Sequence, residues 1–409
     1  MMYNKLAPVF GSLALASLVS AAPMDRGSPS YSASASGGSW GGSDGGHSGS
    51  YSVSSTYQTD APAPTLTNDQ LPLSNGFPNI ANPSKQLDDI NEAAHGTLPN
   101  GPPPPAAPAA DDILSLRFIA FNELFEVFFF SELLQNITNN VDGFTFEDSH
   151  ERQIVIDAIT AVQAQEELHL LNANGALAKF DTPIQPCKYI SPATDFKSAI
   201  AFAQTFTDVV LGTLPDVQTH FGLNGDNGLI RGVGAVIGQE GEQNGFYRNL
   251  QHKIPSANAF LTASTRELAF NALLQNVIVP GSCPDLSVFA GLGKPFGVLS
   301  LDTPADKINT DKDTTLSFSI SAEGDWSHYA SGPQDLSLVY INQQNVPIVQ
   351  SIQYASHDNG KIHFTANFPF EENLLFGLTI AVLAKGNSFA DVVAVTNATV
   401  FGPALIEVL

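Results

Sequence analysis

A carboxylate and an imidazole three residues apart, Glu166 and His169, have the spacing in this chain best suited to gripping a metal ion. They lie in the stretch 153–171, where Val155, Ile159, Val162, Glu166, His169 and Ala173 share one face at helical period. That face begins apolar, so the glutamate and histidine enter ground where a polar group needs a partner, a metal or water. Glu-x-x-His projecting inward from a bundle helix is the spacing of dinuclear carboxylate sites. Such sites take one Glu from each of two helices and Glu-x-x-His from each of two others. The motif alone is common, so its meaning rests on what the other helices offer.

A helix is expected over 112–135, apolar nearly all round through Phe118, Phe121, Leu124, Phe125, Phe128, Phe129 and Leu133. Inside that run sit Glu123 and Glu126, one turn apart. The helix over 147–180 carries the opening motif, with Asn174-Gly175 expected to break or fray it. A third, from 191 to about 220, sets Ile200, Ala203, Phe206, Val209 and Val210 on one face, and Gly212 and Pro215 weaken its second half. It holds no glutamate; Asp208 lies off its apolar stripe, and Gln204 and Thr207 are neutral. A fourth helix, over 227–251, contains Gln239-Glu-Gly-Glu-Gln243, which parallels Gln165-Glu-Glu-Leu-His169. The alignment sets Glu240 opposite Glu166 and puts Gln243 where a second His belongs. A further helix is expected over 256–277.

Beyond an apolar connector at 286–301 the period changes. Residues 315–321, Thr-Leu-Ser-Phe-Ser-Ile-Ser, alternate as a half-buried strand does. Runs at 336–341, 346–354, 361–366, 374–384 and 392–401 read as further strands, and Asp358-Asn-Gly360 is a hairpin signal. The expected architecture is a mainly α helical bundle over 111–285, then a small all-β sandwich-like domain over 300–409. His328, His357 and His363 are scattered and read as surface residues. Trp326 and Tyr329 are the candidates for a cell-wall polysaccharide or protein contact.

The chain has 409 residues with Lys+Arg 17 against Asp+Glu 40, a net charge of -23, which argues against a nucleic-acid partner. Lys5, the apolar run 6–19 and small residues to Ala22 read as an export signal over 1–21. Residues 22–110 are first Ser/Gly-rich, with a lone His47, and then a Pro-rich linker ending in 101–108, and are expected to be disordered, with order beginning at Asp111. No stretch has the roughly 20 apolar residues of a transmembrane helix. Cys187 and Cys283, both in Pro-containing loops, fit one disulfide in an oxidising compartment; two free buried thiols are the alternative. Asn136 and Asn397 head N-glycosylation sequons, Asn136 being the better placed, just past its helix.

The order of elements, Phe121-Asn-Glu-Leu-Phe-Glu-Val-Phe-Phe129, the Glu166/His169 helix and Phe206-Thr-Asp-Val209 resemble the ferritin-like family of fungal secreted and stress-related proteins. Late sexual development proteins of filamentous fungi are its nearest likeness; fungal stress-response and plant desiccation-related proteins are more distant. The resemblance covers about 111–285. It implies a ferritin-like bundle in a secreted or wall-associated protein of sexual development or stress, without enzymatic activity as the first reading. Relatives carry Glu near position 207 and His at 243, where this chain has Thr207 and Gln243. Three readings of the site follow: a buried hydrogen-bonded network left from a retired site, a mononuclear iron or manganese site from Glu126 (or Glu123), Glu166, His169 and Glu240, or an oxidoreductase-type dinuclear centre. Contact with wall polysaccharide through the β-domain is the remaining alternative function.

Overall fold

The first helix, α1 (Lys85–Ala93), stands where a disordered linker was expected. Ser84 caps it, its side chain accepting from the Leu87 amide at 3.1 Å. Leu87, Ile90 and Ala94 bury against Ala164 and Leu168, and Phe77 is fully buried in the main core. The apolar residues of 71–101 are few but spaced to dock on a neighbouring helix, which outweighs the loop-forming Pro, Gly and Asn around them. The disordered reading of 22–110 is therefore corrected for 71–101. The computed structural model describes residues 54–55, 71–101 and 106–408; the export signal, the Ser/Gly-rich stretch with His47 and the Pro run 102–105 lie outside them.

Four long helices follow. The second, α2 (Ala110–Thr138), buries residues on every side, as its all-round apolar sequence demands. The third, α3 (Ser149–Leu177), is capped by Asp148, whose carboxylate accepts from the His150 amide at 2.7 Å. It runs unbroken through Asn174-Gly175, because buried Asn174 exchanges two hydrogen bonds with the Ile184 backbone. The fourth, α4 (Phe196–Asn224), opens on a capping box between Asp195 and Ser198, five residues later than expected, and closes on Gly225 at φ +87°. Pro215 and Gly212 both lie inside it. The fifth, α5 (Ile230–Leu250), follows one short 3₁₀ turn. Helix α2 packs along α3, and α4 along α5. The next helix is shorter than expected: α6 covers only Arg266–Asn276, capped by Thr265. Residues 256–265 are not helical. Among the described residues no helix is long and apolar enough to cross a membrane.

Among the described residues, nine strands then form two antiparallel sheets, counting a short first strand from before the bundle. They are β1 (Ser54–Ser55), β2 (Leu299–Leu301), β3 (Thr314–Ser321), β4 (Leu336–Asn342), β5 (Ile348–Gln350), β6 (Gln353–Asp358), β7 (Lys361–Phe368), β8 (Gly377–Lys385) and β9 (Thr399–Val408). One sheet runs β1-β9-β8-β4-β5 and the other β2-β3-β7-β6. Asn359 and Gly360, at φ +49° and +73°, make the two-residue turn between β6 and β7. Leu338, Tyr340, Ala381 and Leu383 of the first sheet face Leu316, Phe318 and Phe364 of the second. On the other face Val339, Ile341, Ile380, Val382 and Leu405 pack into the helical core. A sheet covered on both faces needs continuous apolar strands, and β8 and β9 are buried along nearly their whole length. The helical and β parts are thus one unit with a shared core rather than two separable domains. Residues 392–401, expected as strand, split into α8 (Val392–Ala398), capped by Asp391, and the start of β9. The one-turn α7 (Phe370–Asn373) lies between β7 and β8.

A disulfide joins Cys187 to Cys283 with S–S 2.07 Å, as expected. It ties the loop after α3 to the segment after α6. Asn136 sits inside the last turn of α2 and is half-buried, whereas Asn397 in α8 is exposed, so the order of the two sequons is reversed.

Asn75 donates to both oxygens of buried Glu167 on α3, at 3.2 and 3.5 Å, and Gln163 donates to the same carboxylate. Burial pushes Glu167 up to about 7, against these hydrogen bonds, which pull it down. Its folded value exceeds its unfolded one, so the folded state holds the extra proton. The stability this contributes is present below about pH 4.5 and lost as pH rises toward 7. Glu167→Gln should accordingly flatten the pH dependence and stabilise the protein at pH 8 by about 1–3 kcal/mol, read by urea unfolding. Equal losses at pH 5 and pH 8 would contradict this.

Candidate metal centre

Three helices aim acidic side chains at one point inside the bundle. Helical period puts Glu123 of α2, Glu166 and His169 of α3, and Glu240 of α5 on inward faces. One ligand atom from each of these four residues lies within 4.8 Å of all the others. His169 Nδ1 is 2.7 Å from Glu166 Oε2, 3.6 Å from Glu123 Oε2 and 3.8 Å from Glu240 Oε1. Despite these short approaches, His169 Nδ1, Glu123 Oε2, Glu166 Oε2 and both oxygens of Glu240 make no hydrogen bond. Four donor atoms gathered this closely in a buried site suit a cation held among them.

Glu126, placed by the sequence ahead of Glu123 as a ligand of a single metal, is not among the converging four; Glu123 takes that place. It is buried one turn further along α2, and the charges of the cluster act on it. Helix α4 contributes nothing: Asp208 turns away, accepting from Asn244 at 2.8 Å and from Gln204 at 3.4 Å. Gln243 occupies the position of the absent second histidine. It donates to Glu166 Oε1 at 2.7 Å and to Gln165 Oε1 at 3.1 Å, and Gln239 donates to the same Gln165 oxygen at 2.9 Å. Gln243 therefore orients Glu166, engaging one oxygen and leaving Oε2 turned into the centre.

Burial sets the electrostatics. It pushes Glu123 up to about 7 and holds Glu126 and Glu240 well above the usual carboxylate range, each raised further by its neighbouring carboxylates. For His169 burial disfavours the imidazolium, but the charges of Glu166 and Glu123 outweigh it and hold the ring well above its usual value. Tyr247, fully buried one turn beyond Gln243, is raised by burial and by Glu166, Glu126 and Glu240, and its hydroxyl has no partner. A dry site with this many carboxylates is costly when ionised unless a cation compensates it. Three carboxylates and one imidazole make a donor set suited to iron or manganese.

Sequence reasoning missed a second buried polar group. Glu407 on β9 is fully buried and accepts from Gln204 at 2.9 Å, and the charges of Arg248 and Lys253 act on it. Its signal is a lone acid inside a continuous apolar strand. Trp326 and Tyr329 do not form an exposed platform: both rings pack on Phe401, at 4.7 and 5.4 Å, and Tyr329 is buried. Apolar contact within the sandwich wins over display to solvent. No protein-family model matches the chain, and no curated protein matches it.

Proposed function

We propose that this is an exported protein of ferritin-like type whose bundle binds a single divalent iron or manganese ion through Glu123, Glu166, His169 and Glu240. The observation that carries this reading is the convergence of four ligand atoms from three helices, most of them buried without a hydrogen bond. Gln243 in place of a histidine and Asp208 turned aside favour one metal over two. The disulfide is compatible with an extracellular setting. A role in fungal sexual development or stress, in the wall or outside it, belongs to the proposal on the strength of the sequence resemblance.

One observation favours a second reading, a non-enzymatic protein with a retired site: the Gln243–Glu166 bond already satisfies part of the cluster. Metal analysis of protein purified without chelator separates the two. About one equivalent of iron or manganese per chain, lost in Glu166→Ala, is the expected result. Substoichiometric metal in wild type, unchanged by Glu166→Ala, establishes the retired site instead.

A further inference from the structure

A cleft separate from the carboxylate cluster opens between α2, α4, α6 and β9. Phe125, Phe206, Val209, Leu273 and Leu405 line it, and the centre of a water-sized sphere can reach about 40 Å³ of it. Pro192, Phe202, Ala272 and Asn276, all half-buried, form the mouth. No charged side chain lines it.

Three of its aromatic rings meet edge to face. Phe125 lies 5.3 Å from Phe206 at 77° and 6.2 Å from Phe202 at 79°, and Phe202 lies 5.4 Å from Phe206 at 66°. Such an array presents ring edges and faces that a further aromatic ring can join. Polar side chains are few here, and two are engaged: Thr205 and Asn276 each donate to the carbonyl one turn back, at 3.1 and 2.8 Å. Asn122 is different. It is only 5 % exposed and lines the cleft, yet its side-chain amide has no hydrogen-bond partner among the described residues. An amide open to the cleft and free of protein partners can bond a ligand there.

We infer that this cleft is a binding site for a small, neutral, mainly aromatic molecule bearing one hydroxyl or carbonyl, with Asn122 as its polar anchor. The ring edges of Phe125, Phe202 and Phe206 take the apolar body, and the Asn122 amide takes the oxygen. A carboxylate is disfavoured, because no cation faces the cleft and the chain is strongly acidic. The site is independent of the metal centre: Asn122 and Phe125 lie on the face of α2 next to the one carrying Glu123.

Isothermal titration calorimetry of the full chain with 2-phenylethanol, ethylbenzene and phenylacetate tests this. 2-Phenylethanol is expected to bind at one site with a Kd below about 1 mM. Ethylbenzene and the Asn122→Leu variant should each bind about 3- to 10-fold more weakly, the loss of one net hydrogen bond. Phenylacetate should be weaker still, and Ala272→Phe, which fills the mouth, should remove binding. Val209→Phe provides the same blockade from the cleft wall if Ala272→Phe fails to fold. No saturable binding of 2-phenylethanol, or binding unchanged in a folded blocking variant, overturns the site. Equal affinity in Asn122→Leu overturns its anchor.

Discussion

Glu240→Gln should leave the metal-stripped protein more stable than wild type at pH 8 and blind to added iron(II) or manganese(II). Both oxygens of Glu240 are buried without a partner, and the residue is 1 % exposed. Its folded value lies well above the unfolded one, because burial and the charges of Glu123 and Glu166 oppose ionisation. The contribution of such a group is favourable below about pH 4.5 and is lost as pH rises through the folded value. Removing the charge therefore relieves the apo protein, on the order of 1–3 kcal/mol, and the gain should grow with pH. The same change deletes a ligand, and affinity should fall by more than the roughly 10–100-fold lost with outer partners. Wild type held at 100 times its Kd gains about 2.7 kcal/mol from the metal, which the variant forfeits. Thermal melts with and without metal should thus cross: variant above wild type in chelator, below it in metal. Parallel shifts of both proteins on adding metal would remove Glu240 from the ligand set.

Gly212→Ala should destabilise the protein by about 3 kcal/mol or more, although alanine is the better helix former by about 1 kcal/mol. A Cβ at this position of α4 would fall on the backbone carbonyl oxygen of Thr262, which has no flexible side chain to give way. The segment 262–264 crosses α4 there, and the Ser264 amide donates to the Gly212 carbonyl at 3.1 Å. Thr262 in turn donates its hydroxyl to Leu378 O and accepts from the Gln343 amide, tying the crossing to the sheet. Urea denaturation measures the loss. A stabilised Gly212→Ala would mean that α4 and the crossing segment can separate freely.

The sequence exposes Gly212 as a weak point in a helix; it cannot show that a backbone elsewhere needs the space. The same limit explains the other differences. Glu166, His169, Glu240 and Gln243 were legible because helical period and the likeness of 165–169 to 239–243 are local patterns. The choice of Glu123 over Glu126 depends on how α2 rotates against α3 and α5, which no local pattern encodes. Asp208 was readable as off-stripe, and it does turn away. Residues 71–101 were misread because α1 derives its order from Ala164 and Leu168 across the bundle rather than from its own composition. Helix α8 was masked by the strand propensity of Val392, Val393 and Val395, though Asp391 holds the N-cap signal that overrides it. For Glu407 the sequence offers only a lone acid in an apolar run; that both faces of its strand are covered is a fact of the assembled molecule.

The five-stranded sheet that belongs to both cores makes the molecule a single thermodynamic account. Val339 and Val382 are paired on the sheet's helical face, while Leu338 and Leu383 are paired on its sandwich face. Neither layer can open without baring one side of the strands that complete the other. Free energy supplied at any one point, by an ion among the carboxylates or a ring in the cleft, is therefore held in common with the distant hairpin and strands.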